Sequence, residues 1–325
     1  MSGRVVMLSG GVGGAKLVQG MSQIVPGETL TVIVNTGDDF AHLGLWISPD
    51  IDSVLYALAG LEDPERGWGR RQETWTFMAA LESLGGASWF RLGDGDLALH
   101  VERTRRRAAG ERLGAITRQL AAALGIRAEV VPMSDDPAPT MVETDEGVLG
   151  FQDYFVNRRC EPRVRSFRFA GAEGAAAHER ALAALRDPEL RAVIIGPSNP
   201  FVSIDPILAV PGLRTALEAV RAPIVAVTPI VGGRAIKGPA AKMLAELNLP
   251  VTGCEVARHY SGLLDAFVLD AADAQASEPP PAGVRLFHTD TVMRDPPARR
   301  RVAAEVLAIA DLLSGRGARA QVQHP

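Results

Sequence analysis

Short apolar runs rich in β-branched residues alternate with amphipathic segments along most of this chain, and this alternation constrains the fold more than any other feature. The runs are Arg4 to Leu8, Leu30 to Asn35, Ala128 to Pro132, Ala192 to Ile195, Ile224 to Val227 and Ala266 to Leu269. Strands without polar alternation are typical of a parallel sheet that is covered on both faces. The pattern therefore predicts an α/β fold: a doubly wound, mostly parallel, Rossmann-like sheet.

The pattern also suggests how the chain is divided. Residues 1–142 are predicted to form the N-terminal part of the core, with the glycine loop and the acidic motifs. In 143–175 the periodicity loosens around a basic, proline-containing stretch, which predicts a small inserted subdomain or hairpin. Residues 176–314 are predicted to complete the core, and 315–325 to form a disordered tail.

Composition excludes several classes of function. The net charge of −4 gives no electrostatic attraction to nucleic acid. No apolar stretch is long enough to span a membrane. The two cysteines, Cys160 and Cys254, show no metal-binding spacing. We therefore expect a cytoplasmic protein with reduced thiols.

A glycine-rich loop follows the first predicted strand and precedes a helix that we expect to start near Ala15. Gly10, Gly11, Gly13 and Gly14 would let backbone amides approach a phosphate at the helix N-terminus, with Lys16 beyond them. The loop is not a dinucleotide fingerprint, which has a third glycine where this chain has Lys16, nor is it a P-loop. The alternative is a tight turn that only lets helix and strand pack.

Acidic residues follow the second predicted strand. Asp38 and Asp39 lie directly after it, and Asp50 and Asp52 follow Ser48 a short way on. Asp38, Asp50 and Asp52 are candidate Mg²⁺ ligands, because Mg²⁺ favours a few carboxylates together with substrate phosphates. The alternatives are an Asx-turn, a helix cap by Ser48 or Asp50, and an acid that binds a ribose.

Other strand ends carry similar loops. Gly196, Ser198 and Asn199 lie in a proline-bracketed turn that resembles a phosphate cradle, and Lys237 is a candidate phosphate contact. An acidic turn holds Asp94 and is followed by His100. His100 could be a general base, a phosphate contact or a satisfied core residue, and the last is the commonest role of a lone histidine. The arginine run 103–107 is most simply a solvated helix face.

Taken together, six of these segments resemble the 2-phospho-L-lactate transferase family, called CofD in archaea and FbiA in actinobacteria. In chain order they are Leu8-Ser-Gly-Gly-Val-Gly-Gly-Ala-Lys16, Val34-Asn-Thr-Gly-Asp-Asp39, Ser48-Pro-Asp-Ile-Asp52, Met133-Ser-Asp-Asp-Pro137, Phe151-Gln-Asp153 and Gly196-Pro-Ser-Asn-Pro200. The resemblance covers nearly the whole chain, from about residue 4 to residue 313.

The resemblance implies a role in the biosynthesis of the deazaflavin cofactor F420. Such enzymes transfer a phospho-acyl unit (2-phospholactyl, phosphoenolpyruvyl or 3-phosphoglyceryl) from its guanosine diphosphate ester to the ribityl hydroxyl of the deazaflavin Fo, and release GMP. It also implies dependence on Mg²⁺ and a homodimer.

The resemblance further implies roles for individual residues. Asp52 and Arg91 are expected to lie against Fo, with Asp94 and His100 nearby, and the glycine loop and the 196–199 turn are expected to hold the guanosine diphosphate. Asp50 and Asp52 are the expected catalytic residues.

The chain departs from the family at one turn. Relatives commonly have arginine and threonine where this chain has Gly95 and Leu99. Loss of that arginine suggests a different acyl unit, or compensation by Arg103 or Arg105.

Two other functions fit parts of the sequence. A sister branch of the superfamily implies a regulatory protein that binds nucleotide sugars. An NAD(P)-linked oxidoreductase would place Asp38 on a ribose, but the broken fingerprint at Lys16 counts against it.

Overall fold

The computed structural model describes residues 3–275 and 279–315, so the predicted tail lies outside the described residues apart from Gly315. The strands are β1 (Arg4–Ser9), β2 (Leu30–Val34), β3 (Phe40–His42), β4 (Leu45–Ile47), β5 (Glu129–Pro132), β6 (Thr140–Thr144), β7 (Gly147–Gly150), β8 (Val164–Phe169), β9 (Leu190–Ile195), β10 (Ile224–Val227), β11 (Ile230–Val231), β12 (Arg234–Ala235), β13 (Ala266–Asp270) and β14 (Arg285–Thr289). The α-helices are α1 (Gly11–Ser22), α2 (Pro49–Ala59), α3 (Thr76–Ser83), α4 (Asp94–Ala108), α5 (Leu113–Ala123), α6 (Glu179–Leu185), α7 (Asp205–Ala209), α8 (Leu213–Glu218), α9 (Ala240–Glu246), α10 (Gly253–His259) and α11 (Pro296–Leu313).

The central sheet has seven strands in the order β14-β13-β10-β9-β1-β2-β5. Every neighbouring pair in it is parallel. The chain therefore runs outward from β1 to β5 and then returns to β9 on the other side of β1. This confirms the predicted doubly wound fold and puts the topological switch point between β1 and β9, where such sheets bind ligands.

The sheet is buried on both faces. Val5 and Met7 of β1 pack in one hydrophobic cluster with residues of α1, α2 and α11. Val6 and Leu8, the alternate residues of the same strand, pack in a second cluster with residues of α6 to α10. Apolar side chains on both sides of each inner strand explain the uninterrupted apolar runs of the sequence.

Two small antiparallel units extend the core near the switch point. The hairpin of β3 and β4 lies between the ends of β2 and α2. A three-stranded sheet, in the order β7-β6-β8, spans Thr140 to Phe169. It begins three residues before the boundary predicted for the insertion at residue 143, because Thr140 already pairs with Phe169.

Some predicted elements were wrong in their bounds or were missed. Helix α1 starts at Gly11 and not near Ala15, so three of the loop glycines lie within its first turn. Strand β14 was not predicted, since this edge strand is only partly buried and carries polar residues. Within the described residues, no helix is long and apolar enough to cross a membrane.

Candidate functional site

The glycine loop joins β1 to α1 and packs against the turn that follows β9. A Cβ atom on Gly13 would lie 2.3 Å from the carbonyl oxygen of Pro197, and one on Gly14 would lie 2.7 Å from Ser198 Oγ. Gly11 has a positive φ of 64°. These glycines therefore let the first turn of α1 approach the neighbouring backbone, as the packing alternative for this loop requires.

The two loops at the switch point are also joined by hydrogen bonds. Gly10 N–H donates to Ser198 Oγ over 3.2 Å, and the Ser198 hydroxyl donates to the Gly10 carbonyl over 2.7 Å. Asn199 Oδ1 accepts a hydrogen bond from Phe201 N–H over 3.0 Å and so caps the short helical turn that follows. The predicted phosphate contacts of the two motifs thus lie side by side. The Ser198 hydroxyl and the Asn199 side chain form hydrogen bonds within the protein.

A buried pair of carboxylates lies beside the start of α1. Asn35 Nδ2 lies 3.0 Å from Asp38 Oδ1 and 2.8 Å from Asp50 Oδ2, and donates to both. The other oxygen of Asp50 accepts a hydrogen bond from Gly11 N–H over 2.6 Å. Asp50 therefore accepts from one of the backbone N–H groups that a phosphate at this helix start would use.

Burial raises the pKa values of both carboxylates of this pair. Burial, followed by the charge of Asp50, raises the pKa of Asp38 well above its ordinary value. Burial raises the pKa of Asp50 to about 6. A divalent cation would relieve this repulsion, so the donor set of Asp38 and Asp50 fits Mg²⁺ bound by two carboxylates plus substrate oxygens.

The predicted ligand set of Asp38, Asp50 and Asp52 is not formed as one cluster. In residues 3–275 and 279–315, no group of three or more histidine, cysteine, aspartate or glutamate side chains is arranged to hold a metal ion. Asp50 and Asp52 are two residues apart on α2, which turns their side chains roughly 200° apart around the helix axis. Asp52 consequently faces α4 instead of Asp38.

Asp52 is held by a buried arginine. Both carboxylate oxygens of Asp52 accept from the guanidinium of Arg103, one of them over 3.1 Å to Nη1. Arg103 has no solvent exposure. The interpretation of residues 103–107 as a solvated helix face was therefore wrong for Arg103, which lies on the same face of α4 as His100, three residues earlier.

His100 extends this contact into a chain of buried polar groups. Its Nδ1 lies 3.6 Å from Asp52 Oδ2, and its Nε2 lies 3.1 Å from Asp96 Oδ2. The Tyr56 hydroxyl donates to the other oxygen of Asp96. Asp52, His100, Asp96 and Tyr56 thus form one network between α2 and α4.

A further buried carboxylate, that of Asp39, lies between this network and the pair of Asp38 and Asp50. Asp39 Oδ2 accepts hydrogen bonds from Ser48 Oγ over 2.7 Å and from Trp46 Nε1 over 3.1 Å. Its Oδ1 is buried without a hydrogen-bond partner. Burial raises the pKa of Asp39 to about 7. Contrary to one expectation from the sequence, neither Ser48 nor Asp50 caps α2 through its side chain, because both are engaged here.

Comparison with known proteins identifies the family. Residues 5–301 match the family model described as 2-phospho-L-lactate transferase CofD. The chain belongs to this family. It is 40% identical to a phosphoenolpyruvate transferase of Streptomyces griseus over 315 residues, which are 95% of this chain and 98% of the relative. It is 39% identical to a 2-phospho-L-lactate transferase of Methanosarcina mazei over 269 residues, 83% of this chain and 88% of the relative.

The fold is shared more widely. A crystal structure of a UPF0052 family protein from Bacillus halodurans matches with a TM-score of 0.59 and 16% identity, covering 94% of this chain and 99% of the other. At that identity the match shows the fold alone. The relatives in the CofD family are transferases, and they favour the transferase over the nucleotide-sugar regulator and the oxidoreductase.

Two further candidate residues of this CofD family member, Arg91 and Asp94, lie against the start of α3. The Arg91 guanidinium lies 4.8 Å from the centroid of the Trp75 ring. Asp94 accepts hydrogen bonds from the backbone N–H groups of Thr76 and Phe77, both over 3.1 Å, and so caps the start of α3. Neither residue is hydrogen-bonded to Asp52, so their predicted contacts with Fo stay predictions.

The turn that departs from the family pattern has an arginine of its own. A Cβ atom on Gly95 would lie 2.8 Å from Arg70 Nη1. Arg103 is engaged by Asp52, and Arg105 by Glu102 over 2.8 Å. The arginine beside Gly95 is therefore Arg70, and compensation by Arg103 or Arg105 stays a prediction.

Sequence reasoning missed three residues that organise the site. Asn35 joins Asp38 to Asp50. Arg103 orients Asp52, and Tyr56 orients Asp96. The helical spacing of His100 and Arg103 was a signal for one of them. For Asn35, the signal was its position: it is the polar residue that directly follows the apolar run of β2.

Proposed function

We propose that this protein transfers a phospho-acyl unit from its guanosine diphosphate ester to the ribityl hydroxyl of the deazaflavin Fo, with release of GMP, in coenzyme F420 biosynthesis. Membership of the CofD family supports the reaction class. The single structural observation that carries it is the buried pair of Asp38 and Asp50, joined through Asn35 beside the first turn of α1 at the topological switch point.

The reaction is a substitution at phosphorus. The Fo hydroxyl oxygen forms a bond to the phosphorus atom that carries the acid unit, the bond from that phosphorus to the bridging oxygen breaks, and GMP leaves with the electron pair. The hydroxyl proton is released to water, which balances the negative charge that leaves with GMP. Catalysis of such a transfer is mainly positioning and neutralisation of charge, so no covalent nucleophile is required.

Asp38 and Asp50 would hold Mg²⁺, whose chemistry when bound is to offset the negative charge of the diphosphate. Asn35 keeps the two carboxylates together, and Gly11 N–H fixes the second oxygen of Asp50. We propose this pair in place of the three-carboxylate set expected from the sequence.

Asp52 would receive the hydroxyl of Fo. Its two oxygens are oriented by Arg103, and His100 lies beside one of them. A carboxylate held in one rotamer at the start of α2 is suited to orienting an alcohol. Arg91, three residues before the start of α4, is proposed to contact the Fo ring system.

The test uses the purified chain with Mg²⁺, Fo and each of three donors: the guanosine diphosphate esters of 2-phospholactate, phosphoenolpyruvate and 3-phosphoglycerate. We expect GMP release and a deazaflavin product whose mass identifies the acid unit. No product with any donor, combined with tight binding of nucleotide sugars, would contradict the proposal and support the regulatory alternative.

We further propose that the protein is a cytoplasmic homodimer. Cys160 is a free thiol in the structure, as the reducing cytoplasm would keep it. Light scattering of the purified chain measures the assembly: a mass of about 34.5 kDa would contradict the dimer.

A further inference from the structure

A shallow pocket open to solvent lies beside the site, between α1, α2 and the segment 62–69, with a cavity volume of about 30 Å³ below its mouth. Lys16 of α1, Arg299 of α11 and Arg294 just before α11 line it. Ser53 also lines it and adjoins Asp52 in sequence. The pocket therefore lies within one helical turn of the proposed acceptor carboxylate.

The charges around this basic pocket are poorly balanced. Burial lowers the pKa of the half-buried Lys16, and the positive charges of Arg299 and Lys237 lower it further. In the described ranges, no carboxylate forms an ion pair with Lys16 or Arg294 within 4.0 Å.

Two carboxylates at the rim of the pocket, Glu62 and Asp63, offset part of the charge of its three cations. Glu62 pairs with Arg299, which itself lines the pocket. Asp63 accepts from the backbone N–H groups of Glu65 and Arg66 over 2.9 Å each. The charge of Glu62 raises the pKa of Lys16, but this is the smallest of the four effects on that pKa. The net charge facing the pocket is therefore positive.

The buried arginine gives an independent indication of a ligand. Arg299 is 3% exposed and donates through Nη1 to Gln19 Oε1 over 2.5 Å and to Glu62. Its Nε is buried and has no hydrogen-bond partner. Buried donors are nearly always satisfied, so an unpaired guanidinium N–H beside a pocket indicates a missing acceptor.

We propose that this basic pocket binds an anionic oxygen group of the donor, a phosphate or a carboxylate, through Lys16, Arg294 and Arg299. The assignment to the donor depends on the proposed function, whereas the anion site itself does not. Arginine and lysine are the residues that bind both kinds of group.

The first experiment measures binding of inorganic pyrophosphate to the full-length chain by calorimetry. We expect Lys16→Gln and Arg294→Gln each to weaken binding about tenfold, as expected when one charge-assisted contact is lost. Arg300→Gln is the matched control, because Arg300 is exposed on α11 and does not line the pocket. Absence of pyrophosphate binding to the wild-type chain, or equal affinities in all variants, would overturn the proposal.

The second experiment identifies the group by titrating GDP and phosphoenolpyruvate separately. Weaker binding of GDP alone in the two variants assigns the pocket to a phosphate of the nucleotide, and weaker binding of phosphoenolpyruvate alone assigns it to the acid unit. Affinities for both ligands that match the Arg300→Gln control would overturn the assignment to the donor. Pyrophosphate binding that depends on Lys16 and Arg294, without any transfer to Fo, would support the pocket and contradict the proposed function.

Discussion

Asp52 and Arg103 form a buried, two-pronged ion pair that joins the first turn of α2 to α4. Asp52 is 5% exposed and Arg103 has no exposure. The free energy of such a pair depends on both partners being present, because a lone buried charge is very unfavourable. Asp52, the carboxylate proposed to receive the Fo hydroxyl, therefore contributes to the stability of the fold as well.

Removal of one partner should affect stability and activity together. We expect Arg103→Leu to lower the free energy of unfolding by about 3–5 kcal/mol, because it leaves Asp52 buried and unpaired. Urea unfolding measures this change. Arg105→Leu is the control: its pair with Glu102 is exposed, and exposed pairs contribute about 1 kcal/mol or less. Equal losses in the two variants would contradict the special role of the buried pair.

Asp52→Asn should reduce kcat by roughly 10²-fold, on the order expected for loss of an electrostatic contact in the transition state. Because a neutral amide at this position would also leave the Arg103 charge uncompensated, the structure adds a loss of stability that the sequence did not predict. Steady-state kinetics below the unfolding temperature separate the two effects. Wild-type turnover in a folded variant would falsify the role of Asp52 as the acceptor contact.

The affinity for Mg²⁺ should rise with pH through the acid range. The pKa of Asp50 is raised to about 6, so below that pH a proton competes with the cation for its carboxylate. Calorimetric titration with Mg²⁺ at about pH 5.5, 6.5 and 7.5 measures the trend. In Asp50→Asn both the affinity and its pH dependence should fall, and a pH-independent affinity in the wild-type chain would count against Asp50 as a ligand.

Asp39 should make the protein less stable as pH rises. Its pKa is raised from 3.8 to about 7 in the folded state. Between these two values the native state holds a proton that the unfolded chain has lost, so the free energy of unfolding falls with increasing pH in that window. The opposite slope would apply to an acid whose pKa is lowered by folding.

Asp39→Asn should remove this contribution, which is on the order of a few kcal/mol between about pH 4 and pH 8. An asparagine can keep its oxygen where Asp39 Oδ2 accepts from Ser48 and Trp46. Urea unfolding of both proteins across this range gives the difference in slope, and Glu65→Gln, at an exposed acid, is the control. Parallel pH profiles for wild type and Asp39→Asn would refute the predicted linkage.

The close approach of the two switch-point loops should not tolerate a methyl group at Gly13. Its Cβ would lie 2.3 Å from the carbonyl oxygen of Pro197, so Gly13→Ala should lower the free energy of unfolding by about 1–3 kcal/mol and reduce activity. Thermal unfolding checks the first effect. Gly174→Ala is the matched control, because no atom lies within 4 Å of its Cβ position. An unchanged free energy of unfolding in Gly13→Ala would show that the two loops can separate without loss of stability.

The sequence by itself determined the layered fold and the positions of the site motifs. Apolar runs without alternation identify strands buried on two faces, and motifs that follow such strands must meet at one edge of a parallel sheet. This reasoning holds for β1, β2 and β9, whose loops meet as expected. It fails for β14, because an edge strand is buried on fewer sides and its sequence is less apolar.

Only the tertiary structure decided which side chains face one another. The sequence grouped Asp38, Asp50 and Asp52 by proximity, but the turn of α2 directs Asp50 to Asn35 and Asp52 to Arg103. Arg103 and Arg105 belong to the same basic run, yet one is buried and the other exposed, because burial depends on the rotation of α4 against α2. Partners from distant segments are set by packing between elements, and a local sequence pattern contains no information about that rotation.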